Sequence, residues 1–453
     1  MRDMEEILKS LEQPMIDTLR EWVKIPSVKG EASEGAPFGK PARDALDKAL
    51  SDCAALGFET FNADGYAGHA DMGEGSVEDA LAILGHLDVV PVGDGWTFDP
   101  FGAQISNGKI YGRGTADDKG PVVAALYAMA AVKQAGIPLK RRVRLILGTD
   151  EETGWKDIDH YKKVCPMPKQ GFSPDADYPV INIEKGAMHF ELRGKNDLSG
   201  LKVVSFQVGE RFNVVPGLAS ALVEGDEKLV KTVNGHDFGF PVHAQTENGL
   251  VRIDTEGIPG HAAMPELGRN AIGQMLLVMK FLGVRGTLLT LADKIGMTYG
   301  GENLGIALSD AVSGPLTCVM GIIKADKENV YATLDLRCPV LASQAEIIKL
   351  ARMNLSGVDL AVTSQTAPHH VPADTELVRS LMAAFTEVTG IEGKPLAIGG
   401  GTYAKCLEEG VAFGALFPGQ KEMAHQADEY ISIENLKKNL RIFTHALLKL
   451  CAK

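Results

Sequence analysis

The stretch RRVRLILGTDEETG, Arg141–Gly154, decides the architecture. Its run Val143–Gly148 has the apolar density of a buried strand, and it stops at three consecutive carboxylates, Asp150, Glu151 and Glu152. Ionised carboxylates side by side repel one another and resist desolvation. Taken alone, the tip reads as a solvated acidic turn. Outward from it, helices and strands alternate. ARDALDKALSDCAALGF reads as a helix ending near Gly57, and DALAILGHLDVV as an apolar strand with a polar tip. GPVVAALYAMAAVKQAG reads as a buried helix closed by Gly136, and YPVINIEKG as a further strand. Such alternation over short connections specifies an α/β domain with a mainly parallel sheet and flanking helices. Sheets of this kind place their sites beyond the carboxyl ends of the strands.

From about 187 the pattern changes. AMHFELRG, GLVRIDTEG and ENVYATLDLRCPV alternate apolar and polar residues as half-solvated strands do, and PELGRNAIGQMLLVMKFLG and SQAEIIKLARMNL read as helices. The expected organisation is a catalytic domain in two pieces, 1–186 and 371–453, with an inserted α+β domain over 187–370. The length, 453 residues, suits two domains better than one core.

Composition narrows the function. With 46 Lys+Arg against 59 Asp+Glu the net charge is −13, and there is no basic block, which argues against a nucleic-acid partner. No window approaches a membrane span. The first 25 residues lack the basic and apolar regions of a signal peptide. They read as an amphipathic helix interrupted at Pro14, with Ile16, Leu19, Trp22 and Val23 on its buried face. The six scattered cysteines form no C-x-x-C pair and read as free thiols of a cytoplasmic protein.

The chemistry gathers at the strand ends. ILGHLDVVPVGDGW offers His86 and Asp88, and YGRGTADDKGP offers Asp117 and Asp118. GTDEETG offers Glu151 and Glu152, GFSPDADYP offers Asp175 and Asp177, and EMAHQADEY offers His425. Each has a plain structural reading: a hydrogen-bonded core histidine, a proline turn, a solvated tip. The Gly-rich loop is no phosphate cradle, because two aspartates sit in it. Together, imidazoles and carboxylates form a donor set suited to zinc, with cobalt or manganese as alternatives.

In its motifs GHLDVVP, GRGTADDKG, GTDEETG and HQADEY, in that order, the chain resembles the M20 family of zinc peptidases and deacylases. SPDADYPVINIEKG and GGGTYA resemble segments of its PepV-type bacterial dipeptidases. The resemblance implies two zinc ions: His86 and Asp175 on one, His425 and Glu152 on the other, and Asp117 bridging. It implies Glu151 as general acid/base, Asp88 as the residue orienting His86, and a cis peptide at Asp117–Asp118. For the insert it implies substrate contacts from Asn213 in GERFNVVPG, an oxyanion donor in His261 and a carboxylate clamp in Arg337. Backbone of Gly400, Gly401 and Thr402 would lie near the substrate, and Lys405 stands where an arginine is expected. Structural alternatives are a turn for Asn213, a helix cap for His261 and an acidic neighbour for Arg337. The expected activity is hydrolysis of dipeptides, β-alanyl or Xaa-His types included, by a monomer with the insert as lid. The alternatives are a deacylase, desuccinylase or carboxypeptidase with the same metals, or a non-catalytic binding protein on this scaffold.

Overall fold

The computed structural model describes residues 3–453, which divide into two compact units. The first comprises residues up to Asn182 with His370–Leu396 and Gly401–Lys453. The second comprises Ile183–His369 with Ala397–Gly400. The short piece belongs to the second unit for a local reason. The Lys185 amide donates to the Ile398 carbonyl at 2.9 Å, and Arg337 Nη1 donates to the Gly399 carbonyl at 2.8 Å.

The first unit is built on a sheet whose centre is parallel. Strands Val143–Gly148, Leu81–His86, Gln170–Ser173 and Glu409–Ala412 lie side by side in that order and run the same way. Leu81–His86 and Val143–Gly148 are buried at every position, which explains their unbroken apolar runs. Antiparallel strands extend both sides, Ala67–Met72 and Glu59–Ala63 on one and Ile181–Glu184 on the other. The sheet is therefore mixed, with its parallel part where the chain alternates strand and helix. Helix Lys119–Gln134 is apolar almost all round and buried from Lys119 to Val132, so other helices must cover its outer face. Met4–Val23 and Ile433–Cys451 do so.

Helix Met4–Val23 runs straight through Pro14, contrary to the interruption expected there. Proline forfeits one backbone hydrogen bond inside a helix. Ile7, Leu8 and Leu11 before it and Met15, Ile16 and Leu19 after it are all buried, so packing on both sides holds the helix together.

In the second unit an eight-stranded sheet is antiparallel wherever its pairing is given, and Gly186–Asp197 shows the alternating burial its sequence announced. Helices Ala271–Phe281 and Gly286–Lys294 pack against it. All six cysteines are free. No helix among the described residues is long and apolar enough to cross a membrane.

Candidate active site

Every expected metal ligand lies in the first unit, at the carboxyl end of the parallel strands or in loops that reach it. His86 ends its strand, and its Nδ1–H donates to the Asp88 carbonyl at 3.0 Å. That bond turns Nε2 toward the acids, 2.9 Å from Asp117 Oδ1 and 3.6 Å from Asp175 Oδ2. His425 approaches from the opposite side, with Nε2 3.0 Å from Asp117 Oδ2 and 3.0 Å from Glu152 Oε1. One carboxylate thus spans two imidazoles. Donor atoms of His86, Glu151 and Asp175 lie within 4.8 Å of one another, as do those of His86, Asp117 and Glu152. The Asp117–Asp118 peptide is cis.

Asp88 meets His86 Nδ1 with its backbone carbonyl at 3.0 Å and its carboxylate at 3.5 Å, as an orienting residue would, and the carboxylate also accepts the amide hydrogens of Glu151 and Glu152, both at 3.2 Å. The acidic tip is therefore no solvated turn. Asp150, left as solvated by its sequence context, is fully buried and paired with Lys29 Nζ at 2.6 Å. It also accepts from the Lys156 amide at 3.1 Å.

Beneath the tip, Asp157 accepts from the amides of Thr149 (2.7 Å) and Asp150 (3.0 Å) and from the Tyr403 hydroxyl. Burial, the largest influence, pushes the Asp157 carboxyl up to about 6. Gly148 is required here: a Cβ would collide with the Tyr403 ring and the Asp157 carboxylate. Gly148→Ala is expected to cost about 1–3 kcal/mol through overpacking, read as a lower midpoint in urea. An unchanged midpoint would show that the tip can shift freely.

The electrostatics describe a site short of positive charge. Burial foremost, then the like charges of Asp175, Glu152 and Asp88, holds Glu151 well above the usual carboxylate range, despite His86 nearby. Burial raises Glu152, and burial with Asp117 raises Asp175. Burial would lower His86, but bonds to Asp117, Asp175 and Asp88 lift it well above the ordinary imidazole value. His425 is pushed up to about 10, first by Asp117 and then by Glu152. Burial would raise Asp117 too, yet the two histidines hold it far below the usual value. Asp118 Oδ1 is buried with no hydrogen-bond partner. Crowded anions and two imidazoles turned on one carboxylate make a donor set that divalent cations satisfy. Beside Asp117 and Asp175 opens a cavity of about 400 Å³, which Lys109, Glu422 and Tyr430 also line.

The other expected residues fall elsewhere. In the second unit Asn213 Nδ2 lies 3.5 Å from His261 Nε2. His261 caps no helix; Asn270 caps the one that follows. Its Nδ1 accepts the Ala263 amide at 3.1 Å, and burial followed by Arg337 lowers its pKa. Arg337 forks onto Asp335 with Nε at 2.7 Å and Nη2 at 2.8 Å, and Asp335 also takes His189 Nε2 at 3.1 Å. Gly400 belongs to the second unit, Gly401 and Thr402 to the first. Thr402 is buried and caps the short helix Tyr403–Cys406. Sequence reasoning passed over Asp157, Tyr403 and Asp335. Tyr403 and Asp335 stood inside quoted motifs, yet nothing about an isolated Asp or Tyr announces a buried partner.

Taken together, the carboxylate-bridged imidazoles at strand ends and the glutamate beside them define a metal-dependent hydrolase. The sequence profile of peptidase family M20/M25/M40 matches residues 82–449, and the chain belongs to that family. It is 38% identical to the Bacillus subtilis (strain 168) protein named "Putative dipeptidase YtjP", over 98% of both chains. It is 34% identical to "Putative dipeptidase SH1171" of Staphylococcus haemolyticus (strain JCSC1435), over 99% of both. Among solved structures, human carnosine dipeptidase 1 shares the fold at a TM-score of 0.59 and 16% identity, over 99% of this chain and 98% of that one. The Saccharomyces cerevisiae di-peptidase Dug1p does so at 0.59 and 14%, with the same coverage.

Proposed function

We propose that the protein is a metal-dependent dipeptidase that cleaves the peptide bond of dipeptides with a free amino terminus. The observation that carries this reading is the Asp117 carboxylate held between His86 and His425, with Glu151 beside it and bonded to neither ring. His86, Asp117 and Asp175 would hold one cation, and His425, Asp117 and Glu152 the other. Zinc suits these donors best, and cobalt or manganese would serve. Bound there, the pair supplies Lewis acidity toward the scissile carbonyl and the attacking water.

Glu151 takes the proton of that water and returns it to the leaving nitrogen. Its burial favours the protonated form needed for the return, and cations at the neighbouring carboxylates favour the ionised form needed at the start. By the resemblance, His261 is the proposed oxyanion donor and Asn213 a proposed substrate contact. Of the five guanidinium N–H groups of Arg337, three are committed to Asp335 and Gly399. The remaining two are the proposed clamp for a substrate carboxylate, and the backbone of Gly400, Gly401 and Thr402 is proposed to lie near the peptide. The first unit is the catalytic domain and the second its lid, in a cytoplasmic monomer.

The test is an assay of the zinc-loaded protein on free dipeptides, β-alanyl and Xaa-His types included, their N-acetylated forms and tripeptides. Free dipeptides are expected to turn over fastest. Faster cleavage of the blocked forms would make the enzyme a deacylase.

A further inference from the structure

Two acids follow His425 closely in HQADEY, Asp428 and Glu429, and neither belongs to the donor sets above. Glu429 is fully buried. Its Oε1 accepts the amide hydrogens of Gly114 (3.0 Å), Ala116 (2.9 Å) and Asp117 (3.3 Å). Its Oε2 accepts from Arg113 Nη1 at 2.6 Å, and its own backbone carbonyl takes the Gly112 amide at 2.9 Å. Arg113 ties this carboxylate back to the histidine segment by donating from the same nitrogen to the Gln426 carbonyl at 3.3 Å. One side chain therefore gathers the loop that ends at Asp117 and fastens it to the segment that carries His425.

Asp428 anchors that segment on its other side. Its carboxylate accepts from the Thr97 amide (2.8 Å), the Thr97 hydroxyl (2.7 Å) and the Phe98 amide (3.1 Å). The anchoring answers a backbone need. His425 and Asp428 have φ of 63° and 56°, in the left-handed region that side chains other than glycine seldom adopt. A buried carboxylate is no general aid to stability, since an apolar replacement often serves as well. What an apolar group cannot do is draw three amides onto one point.

We infer that Glu429 is a positioning residue of the metal centre: it fixes Asp117 relative to His425, so that one carboxylate meets both imidazoles, while Asp428 seats the His425 turn. The inference rests on the metal reading above, and its test separates the two.

Zinc affinity of the folded protein is measured by chelator competition, alongside the exchange-coupled electron paramagnetic resonance signal of the manganese-loaded protein. Glu429→Gln is expected to weaken both metal equivalents by about 10–100-fold and to abolish the coupled signal, because Asp117 serves both. Asp428→Ala is expected to weaken one equivalent to a similar degree and spare the other. Asp71→Asn is the control. It removes a buried carboxylate of the same unit, held by Arg144 Nε and Nη2 at 2.8 and 2.7 Å, and should lower the melting temperature without changing zinc affinity. Glu429→Gln binding both equivalents like wild type, whatever its melting temperature, overturns the inference. Should that variant not fold, Asp428→Ala decides, and unchanged affinity there overturns it. Wild-type protein that fails to bind two equivalents sinks the metal reading instead.

Discussion

Glu151→Gln should lower kcat by about 10²–10⁴-fold, the usual worth of a positioned general acid/base, and leave the zinc content at the wild-type level. Both glutamates lie in donor groups that could hold a cation, and their hydrogen bonds differ. Glu152 Oε1 lies 3.0 Å from His425 Nε2, where Asp117 also sits, which supports its proposed place among the ligands. Glu151 makes no such bond to either ring, and its amide is already held by the Asp88 carboxylate at 3.2 Å. Glutamine keeps the shape and the backbone hydrogen bond and removes only the proton acceptor. Glu152→Gln is the opposite case: zinc at the His425 site should fall together with activity. Full turnover in Glu151→Gln would remove it from the chemistry, and loss of zinc in that variant would make it a ligand.

That division between neighbouring glutamates shows where legibility in the sequence ended. The parallel centre of the sheet was readable because strands buried on both faces must be apolar throughout, as Leu81–His86 and Val143–Gly148 are. The antiparallel flanks were not, since the direction of an edge strand depends on connections that periodicity does not encode. The inserted unit was readable from its alternation, whereas the transfer of Ala397–Gly400 to that unit depends on two hydrogen bonds between residues far apart in the chain. Around the site, the residues with a recognisable polar type at a strand end came together. Those that hold them are common residue types whose meaning lies in what they face. Asp150 was misread for the same reason: an acidic tip resembles a solvated one until Lys29 and Asp88 are seen against it.

The metal-free protein should bind zinc with an affinity that climbs steeply with pH, about tenfold per unit for each histidine proton displaced. Nε2 of His86 and of His425 each lie within hydrogen-bond distance of Asp117, and a proton held there occupies the lone pair a cation needs. An ordinary imidazole is already neutral above about 6.5 and would impose no such slope at neutral pH. Here Asp117 and Glu152 hold the His425 proton up to about 10, and His86 is likewise raised well above its usual value. Between pH 7 and 9 the His425 ring therefore stays charged until the metal arrives, which contributes about tenfold per unit, and any proton held by the raised His86 adds to that slope. The sign for the metal-free fold is opposite. A raised folded-state pKa stabilises fully below the unfolded value near 6.5, and the support from His425 is lost as pH rises through about 10. Chelators should accordingly strip the enzyme fastest on the acid side, where the departing cation is replaced by protons the site already favours. Competition titrations across this range, with proton release measured in parallel, test the argument. An affinity independent of pH would mean that both imidazoles are neutral in the free protein and that Asp117 does not hold their protons.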